Sequence, residues 1–110
     1  MPYKESTAAV IRGALRRRRN LVEKKMFGGV GFLLNGNMCC GVWKEFLILR
    51  VGPDAYDTLL GEPYVREFDI TGRPMRGWIM VRPAGYEDKT TLAALIDTTI
   101  RFVRTLPAKE

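Results

Sequence analysis

Between Lys24 and Val81 the chain reads KKMFGGVGFLLNGNMCCGVWKEFLILRVG and closes on FDITGRPMRGWIMV. Short apolar runs of strand length alternate there with residues that reverse the backbone, and this pattern restricts the region to an antiparallel sheet. Asn35-Gly36 is the sharpest signal, because a two-residue type I′ hairpin turn needs positive φ at both central positions. Val30 to Leu34 and Asn37 to Trp43 are the strands it joins. Lys44-Glu45 turns the chain again into Phe46 to Val51. Upstream, Glu23 to Phe27 begins the sheet, and Gly28-Gly29 permits a bend or bulge before the strand continues.

Helical patterns flank this region. Ser6 is placed to cap a helix running to about Arg19, with Ala8, Ile11 and Leu15 on one face. Pro53-Asp54 opens a short helix that Gly61 terminates. An extended piece follows around Val65 to Phe68, then a loop at Thr71-Gly72-Arg73-Pro74 and a strand from Gly77 to Val81. Pro83 to Glu87 links it to a final helix from about Asp88 to Thr105, whose Leu92, Leu95, Thr99, Phe102 and Leu106 line up. The expectation is one domain spanning residues 1–110, of α+β class. It has two layers, an antiparallel sheet of about five strands with the helices packed on one face, in the order α-β-β-β-α-β-β-α.

The strands carry apolar residues on both faces. Val30, Phe32 and Leu34 point one way and Leu33 the other, while Leu47, Leu49 and Val51 oppose Phe46 and Ile48. Three modest helices cover one face. The second face, or a sheet edge, is expected to meet another copy of the chain, making a homodimer.

Composition narrows the function. The chain contains no histidine and a single serine, which removes the usual general base and every Ser-His or Cys-His nucleophile pair. No apolar run is long enough to span a bilayer, and no signal-peptide core follows Met1, so the expected location is the cytoplasm, without membrane contact. The net charge of +6 lies wholly in residues 1–26, where eight Lys and Arg face Glu5 and Glu23. The run Arg16-Arg17-Arg18-Arg19 supplies half of those cations and could contact nucleic acid weakly and nonspecifically, although four consecutive residues ring a helix instead of forming one stripe.

Other candidates are weighed by geometry. Adjacent strand residues alternate faces, so Cys39 and Cys40 are expected to diverge, to stay reduced and to hold no metal. Gly28-Gly29-Val30-Gly31 lacks the lysine and the helix of a phosphate loop. Arg73, Arg76 and Trp78 sit close in sequence and form a candidate binding cluster, with a clamp between Asp69 and an arginine, and Trp78 in the core, as the structural reading. A pocket near Lys24, Lys25, Arg73 and Trp78 is the small-molecule or enzyme alternative. No cofactor is called for.

Lys25-Met26-Phe27-Gly28-Gly29, Asn35-Gly36-Asn37-Met38, Gly41-Val42-Trp43-Lys44, Leu49-Arg50-Val51, Phe68-Asp69 and Thr71-Gly72-Arg73-Pro74-Met75-Arg76-Gly77-Trp78 stand in the order found in the N-terminal domain of the TfoX/Sxy family, which the chain resembles over nearly its whole length. The resemblance implies an α+β domain tied to regulators of natural competence, whose longer members act as co-activators with the cyclic-AMP receptor protein. It implies here a stand-alone domain, without their C-terminal helical one. The functional expectation is therefore a non-catalytic interaction module, a competence-type transcription regulator or co-activator acting through protein contacts with a partner of the cyclic-AMP receptor protein type.

Overall fold

The computed structural model describes residues 3–16, 19–26, 28–69 and 72–108. Four helices and six strands follow one another as α1 (Glu5–Leu15), β1 (Leu21–Met26), β2 (Gly29–Leu34), β3 (Asn37–Trp43), β4 (Phe46–Arg50), α2 (Pro53–Leu60), β5 (Val65–Glu67), β6 (Trp78–Val81), α3 (Pro83–Tyr86) and α4 (Lys89–Val103). The strands form one sheet in the order β1-β2-β3-β4-β6-β5, with every neighbouring pair antiparallel. The two-layer α+β architecture expected from the sequence is present.

The sixth strand comes from the glycines at 28 and 29. They do not bend one long strand. The chain reverses between Met26 and Gly29, which pair across β1 and β2, and Gly28 takes φ +75°, a value that suits a residue without Cβ. The hairpin at Asn35-Gly36 forms with φ +54° and +81°, the double positive φ of a type I′ turn. At the next reversal Lys44 takes φ +54° between the paired Trp43 and Phe46.

Ser6 does not cap α1. Tyr3 bridges to Lys44, and the Lys4 amide donates to the Lys44 carbonyl at 2.7 Å, so the chain is pinned to the sheet and turns helical at once, with Lys4 in the capping position. The helix also stops at Leu15, short of the arginine run. In α4 the cap falls where expected: the Asp88 carboxylate accepts from the Thr90 and Thr91 amides.

All the helices lie on one face of the sheet. Ala8, Ile11 and Leu15 from α1 and Leu95, Ile96, Ile100 and Val103 from α4 pack in one cluster with Val30, Phe32 and Leu34, Val42, Leu47, Leu49, Ile79 and Val81. Thr7 is buried in the same layer, its hydroxyl 3.0 Å from that of Tyr86, which donates onward to the Glu45 carbonyl at 2.8 Å.

Cys39 and Cys40 depart from the expected divergence. Phe32 pairs with Cys40 but Leu33 with Met38, so Cys39 is an extra, unpaired residue in β3, a β-bulge. The bulge swings both side chains into the helix-facing core, where the two sulfurs lie 3.6 Å apart and both residues are fully buried. Cys39 also donates to the Phe32 carbonyl at 3.3 Å. The hydrogen bond that Cys40 donates to Cys39, together with burial, pushes the Cys40 thiol well above the ordinary range.

Candidate functional site

Alternation along the strands assigns the opposite face residue by residue. It carries Val22 and Lys24 from β1, Leu33 from β2, Met38, Gly41 and Trp43 from β3, and Phe46, Ile48 and Arg50 from β4. Beyond these lie Trp78 and Met80 from β6 and Arg66 from β5. No helix among the described residues packs there, yet Ile48 is 4% and Met80 1% exposed. Groups outside the helix-facing core therefore cover them. The bulge matters here as well: by absorbing one residue, it lets Met38 and Gly41 share this face although an odd number of positions separates them.

The face carries two aromatic clusters, each with cations on its rings. At one end Trp43 and Phe46 stack with centroids 6.4 Å apart and planes 18° from parallel. The Lys44 ammonium stands 4.5 Å from the Trp43 ring centre, and the Arg66 guanidinium 5.8 Å from that of Phe46. At the other end Phe68 and Trp78 lie 5.9 Å apart. There the Arg50 guanidinium is 5.2 Å from the Trp78 ring and 5.8 Å from that of Phe102, which reaches the end of the sheet from α4. Contacts of this kind contribute about 0.5–2 kcal/mol each, more as water is removed, and they hold the cations in place.

The charge on this face is one-sided. The strand residues assigned to it include Lys24, Arg50 and Arg66 and no carboxylate; Glu23 and Glu67 point to the helix side. Among the described residues, Arg66 meets Asp69 at 3.8 Å, whereas Lys24, Lys44 and Arg50 enter no ion pair.

The residues singled out from the sequence do not converge. Lys24 and Lys25 are neighbours on the edge strand β1 and face opposite sides of the sheet. Trp78 lies four strands away, roughly 19 Å at about 4.8 Å per strand, so the pocket expected from Lys24, Lys25, Arg73 and Trp78 is not assembled. Trp78 is half-buried on the helix-free face and does not fill the core. Arg76 is turned to α2, where it meets Asp57 at 3.1 Å and stands 5.5 Å from the Tyr56 ring. Arg73 lies exposed in the loop before it. Arg66 stands 3.8 Å from Asp69.

Arg16 and Arg19 are exposed just beyond α1, on the helix layer, and Arg17 and Arg18 lie outside the described residues. On the same layer Arg12 of α1 binds Glu23 with two hydrogen bonds, at 2.7 and 2.8 Å, and Glu5 at 3.1 Å. The hydrogen bonds from Arg12 hold the Glu23 carboxyl below its ordinary value. An open cleft of about 350 Å³ is lined by Tyr3, Lys4, Lys44 and Glu45. No group of three His, Cys, Asp or Glu side chains suited to a metal ion occurs among the described residues.

Arg50, Phe46, Trp43 and Phe68 are not recognisable as a set along the sequence. The alternation Phe46-x-Ile48-x-Arg50 was readable, but the partners Trp78 and Phe68 come from strands distant in sequence.

The fold and this surface define a small two-layer α+β domain with one face covered by helices and one open, aromatic and cationic. The TfoX N-terminal domain family matches residues 14–103, and the chain belongs to that family. No curated protein and no solved structure matches it. No helix among the described residues is long and apolar enough to cross a membrane.

Proposed function

We propose that the chain is a non-catalytic interaction module whose docking surface is the helix-free face of its sheet. One observation carries this reading. The face keeps Leu33, Met38, Trp43, Phe46 and Trp78 half-buried above the fully covered Ile48 and Met80, a composition rich in Trp, Met and Arg, the residue types enriched where proteins meet. Membership of the TfoX family supports a role in transcription, of the competence-regulating kind, with a partner of the cyclic-AMP receptor protein type. A cytoplasmic setting suits such a role. The lack of histidine supports a non-catalytic role, since it leaves the chain without its most versatile acid-base group.

Site-resolved cross-linking in living cells tests the assignment. A photo-reactive residue at Met38 should give a discrete adduct of constant mass, and the same residue at the exposed Ala93 of α4 should not. The adduct should disappear in the Trp43→Ala variant. Equal labelling from both positions, or labelling from neither, would overturn the assignment of this face.

A further inference from the structure

We infer that the occupant of the helix-free face is an acidic, apolar polypeptide segment, and that Arg50 is the point at which one of its carboxylates is held. The inference rests on the docking face proposed above and names its partner's chemistry.

Three observations carry it. First, the charge is complementary to an acid: the strands present Lys24, Arg50 and Arg66 on this face and no carboxylate, and Lys44 adds a further cation beside Trp43. Second, Arg50 is half-buried yet enters no ion pair among the described residues. It stands 5.2 Å from the Trp78 ring and 5.8 Å from that of Phe102. A planar guanidinium stacked on rings keeps its edge donors for a carboxylate and gives up little freedom on binding one, since its orientation is already set. Third, the face also offers the half-buried aliphatic side chains of Leu33 and Met38, which suit apolar side chains between the acids.

The same observations weigh against the other occupants. A second copy docked through the same face about a two-fold axis would set one face bearing Lys24, Arg50 and Arg66 against another, with no strand carboxylate on either to offset the charge. A homodimer of the kind expected from the sequence would then pair through a sheet edge. Single-stranded nucleic acid would need open ring faces for its bases to stack upon. Here Lys44, Arg66 and Arg50 already lie over Trp43, Phe46 and Trp78.

The chain's two tryptophans both lie on this face, so indole fluorescence and the indole N–H resonances report on it directly. The probes are a synthetic peptide of alternating leucine and glutamate and its twin with glutamine at every glutamate. The acidic peptide should shift both indole signals, and it should bind at least about tenfold more tightly than its twin, a difference of about 1.4 kcal/mol. Added salt should weaken it, because surface charge is screened over roughly 8 Å at physiological ionic strength. Arg50→Gln should remove most of the preference, and Arg50→Lys, which keeps the charge but not the fork, should restore part of it.

Equal binding of the two peptides, or no indole shift with either, would overturn the inference. So would tighter binding of single-stranded polyadenylate, or sedimentation as a dimer that shields both indoles. Because the peptide comparison uses the unaltered chain, a variant that fails to fold does not blunt it. If cross-linking from Met38 succeeds while the peptides bind equally, the docking face stands and its acidic partner falls. If Met38 captures nothing, the docking face itself falls.

Discussion

Replacing Gly52 by alanine tests the geometry that sets Arg50 between its rings. Gly52 lies just beyond β4 at φ +87° and ψ 163°, a region open almost only to glycine. A Cβ there would stand 2.4 Å from Cδ1 of Phe102 and 2.7 Å from two further ring carbons. Two costs follow. Holding an L-residue in this backbone region costs about 1–3 kcal/mol. Displacing a packed ring costs about 1–3 kcal/mol more. Together they reach about 2–6 kcal/mol, against the roughly 5–15 kcal/mol that keeps a domain of this kind folded.

Urea unfolding of wild type and Gly52→Ala, followed by circular dichroism, measures the loss. The double variant Gly52→Ala, Phe102→Ala separates the two costs, since without the ring only backbone strain remains. The double loss should fall short of the summed single losses by about 1–3 kcal/mol. The single substitution should also weaken capture of the acidic peptide, because the ring that must move is one of the two beside Arg50. A loss below about 1 kcal/mol, or strictly additive losses, would contradict the close approach of position 52 to the Phe102 ring.

Thr7→Val removes the hydroxyl that donates to Tyr86, and should cost about 0.5–1.5 kcal/mol; Tyr86→Phe, which strips a partner from both Thr7 and the Glu45 carbonyl, should cost more, about 1–3 kcal/mol. Denaturant titration should rank the two in that order, and the reverse order would contradict the hydrogen-bond chain. The Arg12–Glu23 pair predicts a pH dependence: Glu23 titrates below its ordinary 4.5 in the folded chain, so its stabilisation is present above that value and is lost as pH falls through the lowered one. The pair is partly exposed, so Glu23→Gln should cost only about 0.2–1 kcal/mol near neutrality, and wild type and variant should converge in acid; a constant difference at all pH values would exclude the linkage. Cys39 and Cys40 should resist a water-soluble disulfide reagent in the native chain and both react after unfolding, and elemental analysis should find no stoichiometric metal. One rapidly reacting thiol, or one bound zinc per chain, would contradict that expectation.

Local chemistry made much of the fold legible in advance. Asn35-Gly36 specifies its own reversal because both residues tolerate positive φ, and Asp88 marks the start of α4 because its carboxylate satisfies amides two and three residues ahead. The apolar alternation in β2 and β4 announced a sheet with two apolar faces, and the order of motifs announced the family. The failures have a common cause. Gly28-Gly29 is compatible with a bend, a bulge or a hairpin, and only the pairing of Met26 with Gly29 selects the hairpin. Cys39 and Cys40 diverge in any regular strand. One unpaired residue, forced by the register of β2 against β3, turns both into the core and sets which side chains line the open face. Arg50 looks like an ordinary strand-end cation until β6 brings Trp78 alongside it and α4 brings Phe102 beneath the sheet's end. Turn, cap and alternation are energies of neighbouring residues and are written along the chain. Register and the meeting of distant strands are energies of the whole assembly, and they exist only once it has folded.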